Sequence, residues 1–439
     1  MNHYHYLLTR EEEHRLAVRL ATLLYDLPNT RAVLMQRIVP DEEGARPLNL
    51  VPSLNALNLE HDDPTRRWKK IYRAIPSWEV AIFLDYLLTQ TPFGQGDPLL
   101  KSMLSVVIDR EKTKVRQLAE AINEGKCLLF LGPGVLRNNV GEPFNQLLAK
   151  NFAARLDAKE IYYDADQDDN LAYIAQRYDE ISRMKYGNSL GTDSRSAFKA
   201  ENYNDQGWLA KTFYDSQESA WRNSATLYQL VAKFNFPLII TTNPDYQALL
   251  EEIDQHGVSR GIHAYYSLAN GNHNPGGNST EDGFSIKNEQ KAQEERVQEW
   301  LEPIRVGQKQ KVLLYNLLGS FENPASVLTA ERQLLAFTTR VVKDGPPLPR
   351  PLTDLFLDPK HYLFLGFDFD QWFVRLIFDT VLKLDRTPDR SVSIYPNQQK
   401  MSFNQSNREF FEKVFNMYFV NNELQHFLEK LAEECGIET

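Results

Sequence analysis

Four short apolar runs in this chain each stop at a glycine or asparagine turn, and this repeated punctuation limits the fold more than any other feature. Cys127-Leu128-Leu129-Phe130-Leu131 runs into Gly132-Pro133-Gly134, and Leu238-Ile239-Ile240-Thr241 into Thr242-Asn243-Pro244-Asp245. Val312-Leu313-Leu314-Tyr315-Asn316 leads to Leu317-Leu318-Gly319-Ser320, and Leu363-Phe364-Leu365 to Gly366-Phe367-Asp368. Runs without polar alternation are strands buried on both faces, as in a parallel sheet covered by helices. Helical spacing separates them: Val115, Leu118, Ala119 and Ile122 share a face before the first run, and Gly125 is placed to end that helix. The pattern predicts an α/β fold across residues 113–439, a parallel sheet with helices on both faces.

Residues 1–112 read differently, as a small all-α helical bundle. Thr9 and Glu12 have capping-box spacing ahead of Leu16, Leu20, Leu23, Leu24 and Leu27. A second helix starts at Ser77 with Val80, Phe83, Leu84 and Leu87 on one face, and a third apolar run, 99–107, gives way to Asp109-Arg110-Glu111-Lys112. This part carries no catalytic cluster, so an interaction role is its simplest use. Between the later strands, 270–283 is rich in Gly, Asn and Ser and reads as a loop, followed by a solvated helix over 287–296.

Composition excludes several classes. Lys+Arg number 49 against 59 Asp+Glu, a net charge of -10, which argues against a nucleic-acid partner. Two cysteines cannot supply a disulfide framework or a cysteine-rich zinc site, so no metal is expected. The N-terminus lacks a signal-peptide profile and no apolar run approaches the roughly 20 residues of a membrane span, so the expectation is a cytoplasmic protein without membrane contact.

The strand ends are where open α/β sheets bind ligands. Glycines in the first turn would let backbone N–H groups approach a pyrophosphate, although one Gly-x-Gly is more often a plain turn. Arg137 stands where a dehydrogenase would carry its third glycine, which disfavours hydride transfer. Asn243 or Asp245 is either the N-cap of the next helix or a contact to a sugar hydroxyl, and the two uses are compatible.

Taken together, these motifs resemble the sirtuin-like, Rossmann-type fold of prokaryotic immune NADases. Gly132-Pro133-Gly134 is similar to that family's first phosphate loop and Thr242-Asn243-Pro244-Asp245 to its Thr-Gln-Asn-x-Asp signature. Leu317-Leu318-Gly319-Ser320 is similar to its Leu-His-Gly-Ser turn and Gly366-Phe367-Asp368 to its late Gly-x-Ser loop. The likeness covers about residues 113–435. The N-terminal helices resemble, more faintly, the death-like or effector-associated domains of bacterial defence proteins. Departures are plain too: Leu318 occupies the place of the catalytic histidine, Leu136 and Asp368 replace serines, and the asparagine signature is one residue short. The missing cysteine quartet argues against protein deacylation.

The resemblance implies NAD as substrate. It makes Asn243 and Asp245 the catalytic candidates, orienting water, ribose hydroxyls or the departing amide. Gly132, Pro133, Gly134, Thr242, Asn316, Gly319, Ser320, Gly366 and Asp368 would line the dinucleotide site. A histidine base adds about 10²–10⁴-fold, so its loss leaves a slow enzyme or a binder. His263 and His361 are the nearest substitutes, although a lone histidine is more often structural. The leading expectation is an NAD-hydrolysing antiviral effector, homo-oligomeric, switched on by assembly with a defence partner through the N-terminal domain. The alternative is a catalytically silent NAD or ADP-ribose scaffold; an adaptor with no NAD site would leave the four turns unexplained.

Overall fold

The computed structural model describes residues 8–24, 37–41, 44–47, 62–75, 77–158, 162–167, 169–187, 205–217, 221–256, 259–267, 280–303, 305, 308–339, 341, 348–357, 361–367, 369, 371–378, 391–394, 410–411, 417–420 and 424–438. By contact the chain forms two compact units, Met1–Glu120 with Arg386–Phe427, and Ala121–Asp385 with Leu428–Thr439.

In the first unit, the capping box at Thr9 is complete. Its Oγ1 accepts from the Glu12 amide at 3.2 Å while the Glu12 carboxylate accepts from the Thr9 amide at 2.7 Å, opening the helix Arg10–Leu23. Arg110 then grips Glu12 with both terminal nitrogens, at 2.9 and 3.1 Å. Leu16, Leu20, Trp68, Ile71, Phe83, Leu84, Leu87, Leu100 and Val107 bury together as one core. Strands are present too, and the pair within residues 1–112 was not anticipated by the all-helical reading. Strands β1 (Arg37–Asp41) and β2 (Gly44–Pro47) pair antiparallel, and elsewhere in the unit Ser391–Ile394 pairs in parallel with Met417–Val420. The β-branched pair Ile38-Val39 and the glycine at 44 favour that hairpin, but a run so short carries little pattern.

One continuous helix, Pro98–Asn123, replaces the two expected around residue 112. The charged stretch 109–114 consists mostly of good helix formers, so charge marks a helix face there instead of a break. Of the proposed loop and helix after residue 270, the helix is Thr280–Leu301; 270–279 lie outside the described residues.

The second unit is built on five parallel strands, β3 (Cys127–Leu131), β4 (Leu238–Thr241), β5 (Ser259–Tyr265), β6 (Gln310–Asn316) and β7 (His361–Leu365). They neighbour one another in the order β5-β6-β4-β3-β7, with helices packed on the sheet. The four apolar runs become β3, β4, β6 and β7. The edge strand β5 was not legible, because Ser259, Arg260 and His263 interrupt its apolar character. Register matters most for the site: Tyr265, Asn316, Thr241, Leu131 and Leu365 lie in one row across the sheet. Every loop that leaves a strand's C-terminal end therefore starts at the same level. A second apolar cluster, including Phe144, Phe152, Tyr178, Trp221 and Phe321, packs beside that edge, where the Phe321 amide donates to the Pro244 carbonyl at 2.9 Å.

Candidate functional site

Beyond β4 the chain turns inward. The Thr241 hydroxyl accepts from the Asn243 amide at 3.0 Å, which folds the asparagine back over the sheet edge. Asn243 is 1% exposed, and its Nδ2 donates to the Gly132 carbonyl at 2.9 Å, tying the β4 turn to the β3 turn. Its Oδ1 is buried and has no hydrogen-bond partner. Asp245 divides its carboxylate: Oδ1 accepts from the Gln247 amide at 3.2 Å at the start of the helix Gln247–His256, while Oδ2 is buried without a partner. Helix capping and ligand contact are thus both open to this one residue. Burial pushes its carboxyl up to about 6, against the opposing pull of the Tyr214 hydroxyl and the amides of Gln247, Ala248 and Tyr246. Two buried acceptors without donors, two residues apart in one turn, are costly unless a ligand or solvent supplies N–H or O–H groups.

Asn316, at the end of β6, is fully buried and stands behind this pair. Its Nδ2 donates to the Asn243 carbonyl at 2.8 Å and, more weakly, to that of Asp245 at 3.4 Å. Its Oδ1 lies 3.1 Å from His263 Nε2. Asn316 therefore holds the asparagine turn from behind, where the sequence alone placed it against the dinucleotide.

The edge strand supplies His263, which also lies 2.7 Å from Glu322 Oε2 through Nδ1 and 3.5 Å from Ser320 Oγ through Nε2. Arg296 closes on Glu322 with two nitrogens, at 2.8 and 2.6 Å. Burial alone would raise the Glu322 carboxyl, yet the bonds to His263 and Arg296 hold it down at about 2. Tyr246 stacks on the imidazole with ring centroids 4.1 Å apart and planes 10° from parallel. Sequence reading missed Glu322, Arg296 and Tyr246 altogether, since no spacing links three residues carried by separate elements. His361 is the opposite case. It opens β7 beside Cys127, at the far end of the sheet from the turns, so it does not reach the site.

The glycine turns do something other than what was expected of them. The Gly132 amide donates to the Leu365 carbonyl at 2.7 Å and the Gly134 amide to the Gly366 carbonyl at 2.8 Å. Those two N–H groups are occupied, so they are not donors awaiting a pyrophosphate. A Cβ on Gly132 would lie 2.5 Å from the Gly366 oxygen, and one on Gly366 (φ +70°) 2.6 Å from the Val135 nitrogen. Glycine here lets two turns pack backbone to backbone. Pro133 sits half-buried between them, and Arg137 Nε caps the Gly134 carbonyl at 2.6 Å. Thr242 likewise spends its amide and hydroxyl on the Leu131 carbonyl, at 2.9 and 3.3 Å. Gly319 has φ +88° and would bring a Cβ 2.1 Å from the Ser326 oxygen; Ser320 beside it is fully buried, its amide donating to the Ser326 hydroxyl at 3.0 Å. Leu318 is buried in the same turn. Asp368 lies outside the described residues.

The family model of the SIR2-like domain matches residues 237–421, a span that opens just before β4 and includes Asn243, Asp245, Asn316, Gly319 and Ser320. No curated protein matches the chain. The match over that span supports a sirtuin-like domain, the parallel sheet fits a Rossmann-type fold, and both are consistent with an NAD-related function. Among the described residues no helix is long and apolar enough to cross a membrane, and no group of three or more His, Cys, Asp or Glu is placed to hold a metal ion.

Proposed function

We propose that this sheet domain binds NAD and hydrolyses its nicotinamide–ribose bond. The observation that carries the reading is the pair of buried, partnerless acceptors, Asn243 Oδ1 and Asp245 Oδ2, at the C-terminal edge of the sheet. A ribose diol, a carboxamide N–H or an attacking water are the donors such a pair suits. In the reaction the carbon–nitrogen bond to nicotinamide breaks, water adds to the ribose carbon, and ADP-ribose, nicotinamide and a proton result. Bond breaking leads through an oxocarbenium-like state, so the chain's task is to hold the ribose and aim one water. Asn243 orients the water or a ribose hydroxyl; Asp245 receives the amide or a second hydroxyl. The turns at Gly132, Pro133, Gly134, Thr242, Gly319, Ser320 and Gly366 wall the dinucleotide, and Asn316 supports the Asn243–Asp245 turn from behind.

Within a bacterium such an enzyme suits antiviral defence: an assembly-activated, homo-oligomeric cytoplasmic effector, reached by its partner through the N-terminal helical unit. The test is release of free nicotinamide from NAD by the purified full chain, with and without fusion to an oligomerising tag. Release that grows with assembly supports the reading, and none in either form overturns it. Leu318 in place of a histidine favours the second reading, a silent NAD or ADP-ribose scaffold, which would show binding without nicotinamide release.

A further inference from the structure

Arg296 gives one N–H to each oxygen of Glu322, so that carboxylate is ionised and accepts only. Nδ1 of His263, 2.7 Å from it, must therefore donate. On the other side, Asn316 has a fixed orientation, because turning its amide round would set Oδ1 against the carbonyl oxygens of Asn243 and Asp245. Asn316 thus presents an oxygen to Nε2 at 3.1 Å, and Nε2 must donate as well. With both nitrogens donating, the ring is an imidazolium. The titratable and charged groups facing it among the described residues are Glu322, Arg296, Tyr246 and Tyr265, and the Tyr246 ring face suits a cation.

We infer that His263 is a positioning residue: a buried imidazolium, clamped by Glu322, that holds Asn316 so that Asn316 in turn fixes the Asn243–Asp245 turn and aims its two partnerless oxygens. This deepens the NAD reading and rests on it for the ligand, but the protonation and the linkage through Asn316 stand on their own. The turn after β6 carries Leu318 and no histidine; His263 serves a different turn, the one after β4, through Asn316.

The experiment uses the full chain with isotope-labelled histidine, the His263 ring signals being those that vanish in His263→Gln. Both ring nitrogens should carry protons in the folded chain, and a ring with one bare nitrogen overturns the proposal. Calorimetry with NAD supplies the second arm. His263→Leu should weaken affinity about tenfold, and His263→Gln, which keeps an N–H for Asn316, should recover part of that loss. In an Asn316→Ala background His263→Leu should change affinity by less than about twofold, because its effect passes through Asn316; additive losses overturn the linkage. Should the parental chain bind no NAD, the NAD reading fails alone. The ring signals, and the same cycle read as melting temperature, still decide the role of His263.

Discussion

The C-terminal edge of the sheet has two flanks built on opposite principles. On the β3–β7 flank, glycines bring two turns so close that backbone meets backbone, and the amides of Gly132 and Gly134 are consumed in the contact. On the β5–β6–β4 flank, side chains do the joining: Asn243, Asn316, His263, Glu322 and Arg296 form one chain of hydrogen bonds that leaves two buried oxygens unspent. The lesson is that a glycine-rich strand end is not by itself a phosphate site. Where the glycines serve close packing, recognition has to come from the neighbouring polar flank.

That contrast can be broken by substitution on either side. Gly366→Val should cost about 3–5 kcal/mol, because a left-handed backbone and a contact 2.6 Å from the Val135 nitrogen leave no room for a branched side chain. Denaturant unfolding measures this, and a loss under about 1 kcal/mol would show the glycine flank to be open. Asn243→Ala is expected to do the reverse. Nicotinamide release should fall about 10²–10³-fold, while stability drops only about 1 kcal/mol for the single bond to Gly132. Turnover at the parental rate would remove Asn243 from the chemistry.

Asp245 sharpens the comparison through pH. Its carboxyl is raised from 3.8 to about 6 by burial, so the ionised form is the one the fold disfavours. The penalty is absent below about 4, grows between 4 and 6 and is complete above about 6, where it reaches roughly 2–3 kcal/mol. The parental protein therefore loses this share of stability as pH rises through that window. Asp245→Asn should melt higher than the parent at pH 8 and lose that advantage near pH 4, and an advantage independent of pH would mean that Asp245 is ionised without cost. Leu318→His carries the smallest expected effect, a rise of up to about tenfold in nicotinamide release. It would place a polar ring in a buried turn, so melting must be followed alongside. Unchanged release with unchanged melting would show that catalysis on the polar flank has no use for a base at that turn.

Much of this architecture was legible in the amino-acid order. Apolar runs at β3, β4, β6 and β7 are buried on both faces, and such runs announce themselves locally, as does the capping box at Thr9. Asn243 and Asp245 could be singled out because a strand end and an Asx turn are adjacent in sequence. What only the tertiary structure decided is which polar groups meet and which remain unspent. His263, Arg296 and Glu322 sit on β5, on the helix Thr280–Leu301 and beyond β6, and register alone sets the histidine beside Asn316. The fate of the glycine amides was equally hidden, since a backbone N–H has no sequence signature and its partner, a carbonyl on β7 or the turn after it, lies more than 200 residues away. Burial follows from side-chain chemistry residue by residue, whereas hydrogen-bond satisfaction is a property of pairs, and pairs are chosen by the fold.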